Sequence, residues 1–226
     1  KDYKSKLKGL IFFRILFSAL LLGSTIVLHL SDSATAMEWS LIFLYGLSIA
    51  IFLISLIYSL FLKRIKKEIL FAFIQTGVDT FFVTLIIFVT GGFLSVFSFL
   101  YLVVIIYSSM LLPMRGTMVI AALCSFQFGC LVELEYFGIL DPLGTNGTTL
   151  ASAYDWYQVF FKLMITMLAC FAVAVLSSLL SEQTRKSKEE LRAMEGHVKR
   201  VEKMAAIGEM AAGLAHEIRN PLAALT

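Results

Sequence analysis

The sequence has too few charged residues to enclose a soluble globular fold. Asp, Glu, Lys and Arg make up 15% of its 226 residues, whereas soluble proteins average about 25%. Hydrophobic residues make up 59% and the mean hydropathy is +0.86. Most of the chain must therefore meet an apolar solvent. The net charge of +3 does not indicate nucleic acid as a partner, because the positions of the basic residues have another explanation, given below.

Cysteine is also scarce. The three cysteines, Cys124, Cys130 and Cys170, all lie in apolar runs. They show neither the CxxC spacing nor the neighbouring histidines that a disulfide framework or a metal site would need. We therefore expect no metal site, and we interpret the cysteines as small residues that pack between apolar helices.

Six apolar runs are each long enough for a bilayer, which needs roughly 20 residues. The first run is not interpreted as a cleavable signal peptide, because five further runs follow it. The sequence predicts an all-α membrane protein whose transmembrane domain covers residues 1–181. The predicted spans are residues 10–30, 39–62, 69–90, 93–112, 117–137 and 156–181.

The basic residues predict the orientation of these spans. All except Lys162 lie at the start of the chain, where Arg14 is included, in the second and fourth connections, or after the sixth span. Cytoplasmic connections carry an excess of Lys and Arg, so both termini are predicted to be cytoplasmic. The outward connections are short, and the longest covers residues 138–155. They leave no room for an extracytoplasmic ligand-binding domain, so a signal would arrive within or beside the membrane.

Asp79, Glu133 and Lys162 are ionisable residues that lie within the spans. A charge at mid-bilayer costs about 2.5–3.5 kcal/mol on insertion scales, so each is a candidate for sensing or pairing. Asp79 either anchors a partner helix or holds the bundle together beside Gln75 and Thr76. Lys162 either extends outward to the membrane surface or pairs with Glu133, which is predicted at a similar depth.

Beyond residue 181 the composition becomes charged and favourable to helix. Small or apolar residues recur at alternating spacings of three and four, the pattern of a coiled-coil seam. This pattern predicts a parallel two-stranded coiled coil over residues 182–204, and hence a homodimer; the alternative is a single helix packed on its own chain. His197 lies off the seam and is interpreted as a solvated side chain. The seam residues are Thr184, Ser187, Leu191, Met194, Val198, Val201 and Ala205.

The run AHEIRNPL at residues 215–222, with its lead-in GEMAAGL at 208–214, is the most specific motif of the chain. It resembles the phospho-acceptor box of sensor histidine kinases of the nitrogen-regulator-like branch. The resemblance implies that residues 205–226 begin the first helix of a dimerisation and histidine phosphotransfer domain. The alternative is an ordinary amphipathic helix that carries one surface histidine.

The resemblance also assigns roles within the box. His216 is the phospho-acceptor, a role that suits imidazole because its ring nitrogen is nucleophilic near neutral pH. Glu217 is the general base that takes the proton from the other ring nitrogen. Asn220 positions water when the kinase dephosphorylates its partner. Pro221 has no backbone N–H and is expected to bend the helix about one turn past His216.

Phosphoryl transfer requires a site for ATP and Mg²⁺, and the sequence shows neither a glycine-rich ATP lid nor an Asn-bearing nucleotide helix. We therefore expect the intact protein to be an ATP-dependent protein histidine kinase. Its ATP-binding domain is expected to lie outside this chain, which should be inactive alone.

Three membrane motifs carry a second resemblance: TGGFLSVFSFLY at residues 90–101, LPMRG at 112–116 and LEYFG at 134–138. They resemble the six-span sensor of type IV pilin sensor kinases (PilS-like), in the bacterial inner membrane. Those kinases are implied to sense the pilin subunit in the bilayer and to phosphorylate an Asp of a PilR-like response regulator of the NtrC family, which controls pilin transcription. No nucleic acid partner is expected.

The segment between residues 181 and 216 is too short for the PAS domain that PilS-like kinases carry there. Either this member lacks that domain or it has been removed. The competing function is a six-span transporter or channel-like receptor with a helical cytoplasmic tail, and a third is a membrane scaffold that only binds. Neither competing function explains the acceptor box.

Overall fold

The computed structural model describes residues 9, 14, 23, 38–61, 68–141, 151 and 154–223, with the side chains of 38–41, 59, 61, 68, 206, 208, 209 and 211–223 left undescribed. Within these ranges the regular secondary structure is entirely helical, as the sequence predicts. Most of the first predicted span, residues 10–30, lies outside the described residues. The chain divides into two compact units, Lys1–Leu179 and Leu180–Thr226.

Among the described residues, the helices follow the second, third and fifth predicted spans closely, and the helix of the sixth span continues beyond residue 181. Three of these described helices are long and apolar enough to cross a membrane, over Ile69–Val89, Met114–Tyr136 and Trp156–Ala205, with shorter apolar helices over Ile42–Tyr58 and Val96–Leu111. The chain is thus a multi-pass membrane protein. The helices are α1 (Glu38–Phe61), α2 (Glu68–Val89), α3 (Leu100–Leu111), α4 (Met114–Tyr136) and α5 (Trp156–Ala223).

The prediction of one continuous helix over residues 93–112 is wrong. Two 3₁₀ turns, Gly92–Leu94 and Val96–Phe99, precede α3, which has only 12 residues. A 12-residue helix rises about 18 Å, well short of the roughly 30 Å of a hydrocarbon core. The cause is local: Gly91 and Gly92 have φ of 117° and 52°, left-handed conformations that glycine adopts without steric cost.

The core of the first unit lies where α2, α3 and α4 pack together. Small and polar side chains allow this close packing of helices. The Thr84 hydroxyl lies 2.8 Å from the Tyr101 hydroxyl and donates to Oε1 of Gln127 at 3.0 Å, so it links all three helices. Cys124 is buried in the same core. The side chains that fill this core include Val83, Ile86, Ile87, Tyr101, Ile105, Ile120 and Phe128.

Candidate functional site

A buried ion pair joins four segments of the membrane bundle. Oδ1 of Asp79, on α2, pairs with the Arg14 guanidinium. Oδ2 accepts a hydrogen bond of 2.6 Å from the hydroxyl of Tyr107, on α3. The Arg14 guanidinium also lies 5.1 Å from the ring centroid of Tyr58, on α1, within the range of a cation–π contact. Asp79 therefore contacts the start of the chain and α3 directly, and it contacts α1 through Arg14.

These contacts bear on the two interpretations of Asp79. Both carboxylate oxygens have partners within the chain, which favours the interpretation that Asp79 holds the bundle together; its role in sensing stays a prediction. Of its predicted polar neighbours, Gln75 accepts a hydrogen bond from Arg14 through its backbone carbonyl at 3.5 Å. Thr76 donates to the carbonyl of Ala72 in its own helix.

Arg14 corrects the charge map. The sequence assigned it to the basic residues that flank the first span, but its side chain is only 6% exposed and is paired in the bundle. Without Arg14, the other basic residues except Lys162 still lie on the side of the membrane that the sequence predicts to be cytoplasmic. This pair could have been suspected from the sequence, because the first span contains one basic residue and the third span contains one acidic residue.

A cavity of about 60 Å³ adjoins the ion pair. Nε and Nη1 of Arg14 are buried and have no hydrogen-bond partner among the described residues. Buried donors without acceptors are costly, so a group that brings an acceptor oxygen into the cavity would be favoured. The cavity is lined by Arg14, Asp79 and Tyr107 and by the apolar side chains of Ile51, Phe82, Val83, Ile86, Leu100, Val103 and Val104.

A second polar cluster, here named the Phe93 junction, consists of Phe93, Glu135, Ala151 and Lys162. The buried Glu135 carboxylate accepts hydrogen bonds from the backbone N–H of Phe93 at 2.7 Å and of Ala151 at 3.1 Å. Lys162, on α5, donates to the Phe93 carbonyl. Its Nζ also lies 4.4 Å from the centroid of the Phe93 ring. The backbone of Phe93 is thus bound by Glu135 on one side and by Lys162 on the other.

The predicted pairing of Lys162 with Glu133 is wrong. Glu133 is exposed, and it is Glu135 that shares Phe93 with Lys162. Two residues along an α-helix turn the side chain by about 200°, so Glu133 and Glu135 point to opposite sides of α4. The ammonium group of Lys162 binds the Phe93 carbonyl, and the predicted extension of Lys162 to the membrane surface stays a prediction.

Glycines shape the junction on both sides. The left-handed Gly91 and Gly92 place the Phe93 N–H within reach of Glu135. Just after Glu135, α4 ends in a Schellman motif. The N–H of Ile139 donates to the backbone carbonyl of Leu134, and the N–H of Gly138 donates to the backbone carbonyl of Glu135. Gly138 has a φ of 67°. The motifs TGGF and LEYFG, quoted above for their resemblance, therefore meet in space. One indication of Glu135 was present in the sequence, because Glu135 lies in a motif that carries the same family resemblance as the glycine turn.

The second unit leaves the predicted seam uncovered. Leu191, Met194, Val198 and Val201 are all exposed, Leu191 at 58%. Ion pairs at i,i+4 spacing, such as Lys186 with Glu182 at 3.3 Å, stabilise the helix by only about 0.2–0.5 kcal/mol each. The described residues of this unit provide no apolar cover for the seam, and the coiled coil itself stays a prediction.

The acceptor box lies at the end of α5. The helix continues through His216, Glu217, Asn220 and Pro221 to Ala223. Their side chains lie outside what the structure describes, so their assigned roles stay predictions. The helical backbone agrees with the first helix of a phosphotransfer domain and equally with an ordinary amphipathic helix.

A family model described as a PilS-like transmembrane domain matches residues 1–191. No curated protein matches the chain, and no solved structure matches it. The matched residues include the Arg14–Asp79 pair, the Phe93 junction and the beginning of the seam. They end before the acceptor box.

Proposed function

Because the chain belongs to the PilS-like transmembrane domain family, we propose that it is the membrane-sensing part of an ATP-dependent sensor histidine kinase. One observation carries the proposal: the helix that begins in the family's membrane domain at Trp156 continues as one element into the acceptor box. In the intact kinase, His216 is autophosphorylated, and the phosphoryl group passes to an Asp of a PilR-like response regulator of the NtrC family.

In this proposal each polar residue of the box has one chemical task. A ring nitrogen of His216 receives the phosphoryl group from ATP, and Glu217 takes the proton from the other ring nitrogen. Asn220 orients a water molecule for the reverse, dephosphorylating reaction. No cluster of three or more His, Cys, Asp or Glu side chains among the described residues could hold a metal ion.

The proposed location is the bacterial inner membrane, with both termini in the cytoplasm. This orientation rests on the basic residues, which accumulate in the second and fourth connections and after the sixth span. It places His216 in the compartment that contains ATP and the response regulator.

The proposed stimulus is the pilin subunit in the same bilayer. Apolar packing alone gives little specificity between helices in lipid, so recognition of a hydrophobic partner requires a polar contact. Asp79, for which the sequence left an anchoring and a bundle-holding role open, is already bound. Nε and Nη1 of Arg14 are the better candidates, because they have no hydrogen-bond partner among the described residues and the Arg14 side chain lines the cavity.

The function is tested by phosphoryl transfer from the full-length protein in lipid vesicles. With labelled ATP, label should appear on the protein and then on a PilR-like regulator, and adding pilin to the vesicles should change the rate. A transporter or a scaffold would acquire no label. Absence of label in the full-length protein would contradict the kinase proposal, whereas label that is indifferent to pilin would contradict only the stimulus.

The proposed homodimer rests on the exposed seam of the second unit. In a parallel coiled coil, seam side chains of the two chains face each other. Single cysteines at Leu191 or Val198, in a background without Cys124, Cys130 and Cys170, should therefore form disulfides between chains under mild oxidation. A cysteine at Arg192, next to the seam, should crosslink far more slowly. Equal crosslinking at the three positions would contradict a coiled coil in this register.

A further inference from the structure

We propose that Lys162 is a positioning residue for phosphoryl transfer, acting through the Phe93 junction on the helix that carries His216. The inference rests on the proposed function and adds the point at which the membrane bundle restrains that helix. Neither the family match nor the acceptor box assigns a role to Lys162, Glu135 or Phe93.

The first step of the argument is the light packing of α5. Only 17% of its apolar window is buried, against 56% for α2. Its buried apolar side chains in this region, Val159, Cys170 and Ala174, are small or medium-sized, and the buried Ser178 is small as well. Apolar contacts of this kind allow a helix to slide or rotate at small cost, because they have no directional requirement. A directional contact is therefore needed to fix α5 at one position.

Lys162 supplies that directional contact. Its ammonium group donates to the Phe93 carbonyl and lies over the Phe93 ring. Hydrogen bonds from a charged donor are roughly twice as strong as neutral ones, and an ammonium group in an apolar environment is costly without a partner. The start of α5 should consequently follow the Phe93 carbonyl when that carbonyl moves.

The position of Phe93 depends in turn on three other segments. Glu135 binds the Phe93 N–H and the Ala151 N–H, and thereby ties the glycine turn to the end of α4 and to the segment before α5. The hydroxyls of Thr90 and Ser95, 2.6 Å apart, close the turn itself. A displacement of any of these segments changes the place at which Lys162 is held. Since α5 continues unbroken to the acceptor box, the junction restrains the helix on which His216 lies.

The test compares kinase and phosphatase rates of the full-length protein in lipid vesicles. Lys162→Met removes the bond to Phe93, and Glu135→Gln removes the charge that orders the turn. Both should shift the ratio of the two rates in the same direction, by roughly threefold or more. Lys162→Arg, which keeps a charged donor, should stay close to the native ratio. Because both substitutions act through Phe93, the double variant should change the ratio by less than the product of the single effects.

Glu133→Gln is the matched control, since it removes a carboxylate two residues from Glu135 on the exposed side of α4. It should leave the ratio unchanged. A ratio that stays native in Lys162→Met, with only the amount of folded protein reduced, would show a merely structural role and overturn the inference. Opposite shifts in the two single variants, or a double variant equal to their product, would also overturn it.

A second readout separates this inference from the proposed kinase. If Lys162 positions α5, Lys162→Met should change the relative rates of crosslinking at Leu191 and Val198, and Lys162→Arg should not. Crosslinking does not depend on phosphorylation. If the native protein acquires no label while these rates respond to Lys162→Met, the kinase proposal fails and the positioning role stands. Unaltered crosslinking rates in Lys162→Met would contradict the positioning role.

Discussion

The substitution His216→Gln should reduce autophosphorylation of the full-length protein to background. Glutamine is similar in size and polarity but has no nucleophilic ring nitrogen, so the phosphoryl group has no acceptor. The response regulator should then acquire no label from ATP through this protein. The measured quantity is the amount of label that the protein retains after incubation with labelled ATP in lipid vesicles and electrophoresis under neutral conditions.

The matched control is His197→Gln on the same helix. His197 is exposed and lies off the predicted seam, so its loss should leave the label at the native level. Label that persists in His216→Gln would contradict the assignment of the acceptor. Equal loss of label in both variants would indicate damage to the helix, and it too would count against a specific role for His216.

The substitution Asp79→Leu should have the largest effect on stability. It leaves the buried Arg14 without its carboxylate and removes the acceptor of the Tyr107 hydroxyl. Removing one partner of a buried ion pair costs about 3–5 kcal/mol, a large part of the stability of a typical domain. The variant should accumulate poorly in the membrane and melt at a lower temperature in detergent.

The double variant Arg14→Met and Asp79→Leu provides the control. Replacing both members of a buried pair by apolar residues is often neutral or stabilising, so most of the lost stability should return. A second control, Phe81→Leu, alters an exposed side chain two residues from Asp79 on the same helix and should have little effect. If Asp79→Leu melts like the native protein, or if the double variant is no more stable than the single one, the pair does not hold the bundle.

Features encoded by short contiguous stretches were predictable from the sequence. Apolar runs gave the bounds of α1, α2 and α4 to within about three residues because hydropathy depends on local composition. The seam residues were named from their periodicity; Leu191 and Val198 are exposed like the rest of residues 182–204, so the seam stays a prediction. The acceptor box is likewise contiguous, so its residues were named from the sequence although their side chains lie outside the described part.

The partners of buried polar groups could not be predicted in this way. Lys162 can approach either Glu133 or Glu135, depending on how α4 is rotated about its axis. The two carboxylates are only two residues apart, but they point to opposite sides of the helix. Arg14 and Asp79 are 65 positions apart in the sequence, and no local pattern joins them. The break in the fourth span required the backbone conformations of Gly91 and Gly92, which a hydropathy window does not contain.

The central claim is that this membrane domain belongs to a kinase that phosphorylates its own His216. The most direct measurement is localisation of the phosphoryl group by mass spectrometry, on the native full-length protein incubated briefly with ATP in lipid vesicles. Samples should be kept neutral to alkaline, since the phosphoramidate is labile to acid. We predict one phosphoryl group per modified chain, located on His216. Phosphate on another residue with His216 unmodified, or a chain that stays unphosphorylated, would contradict the claim.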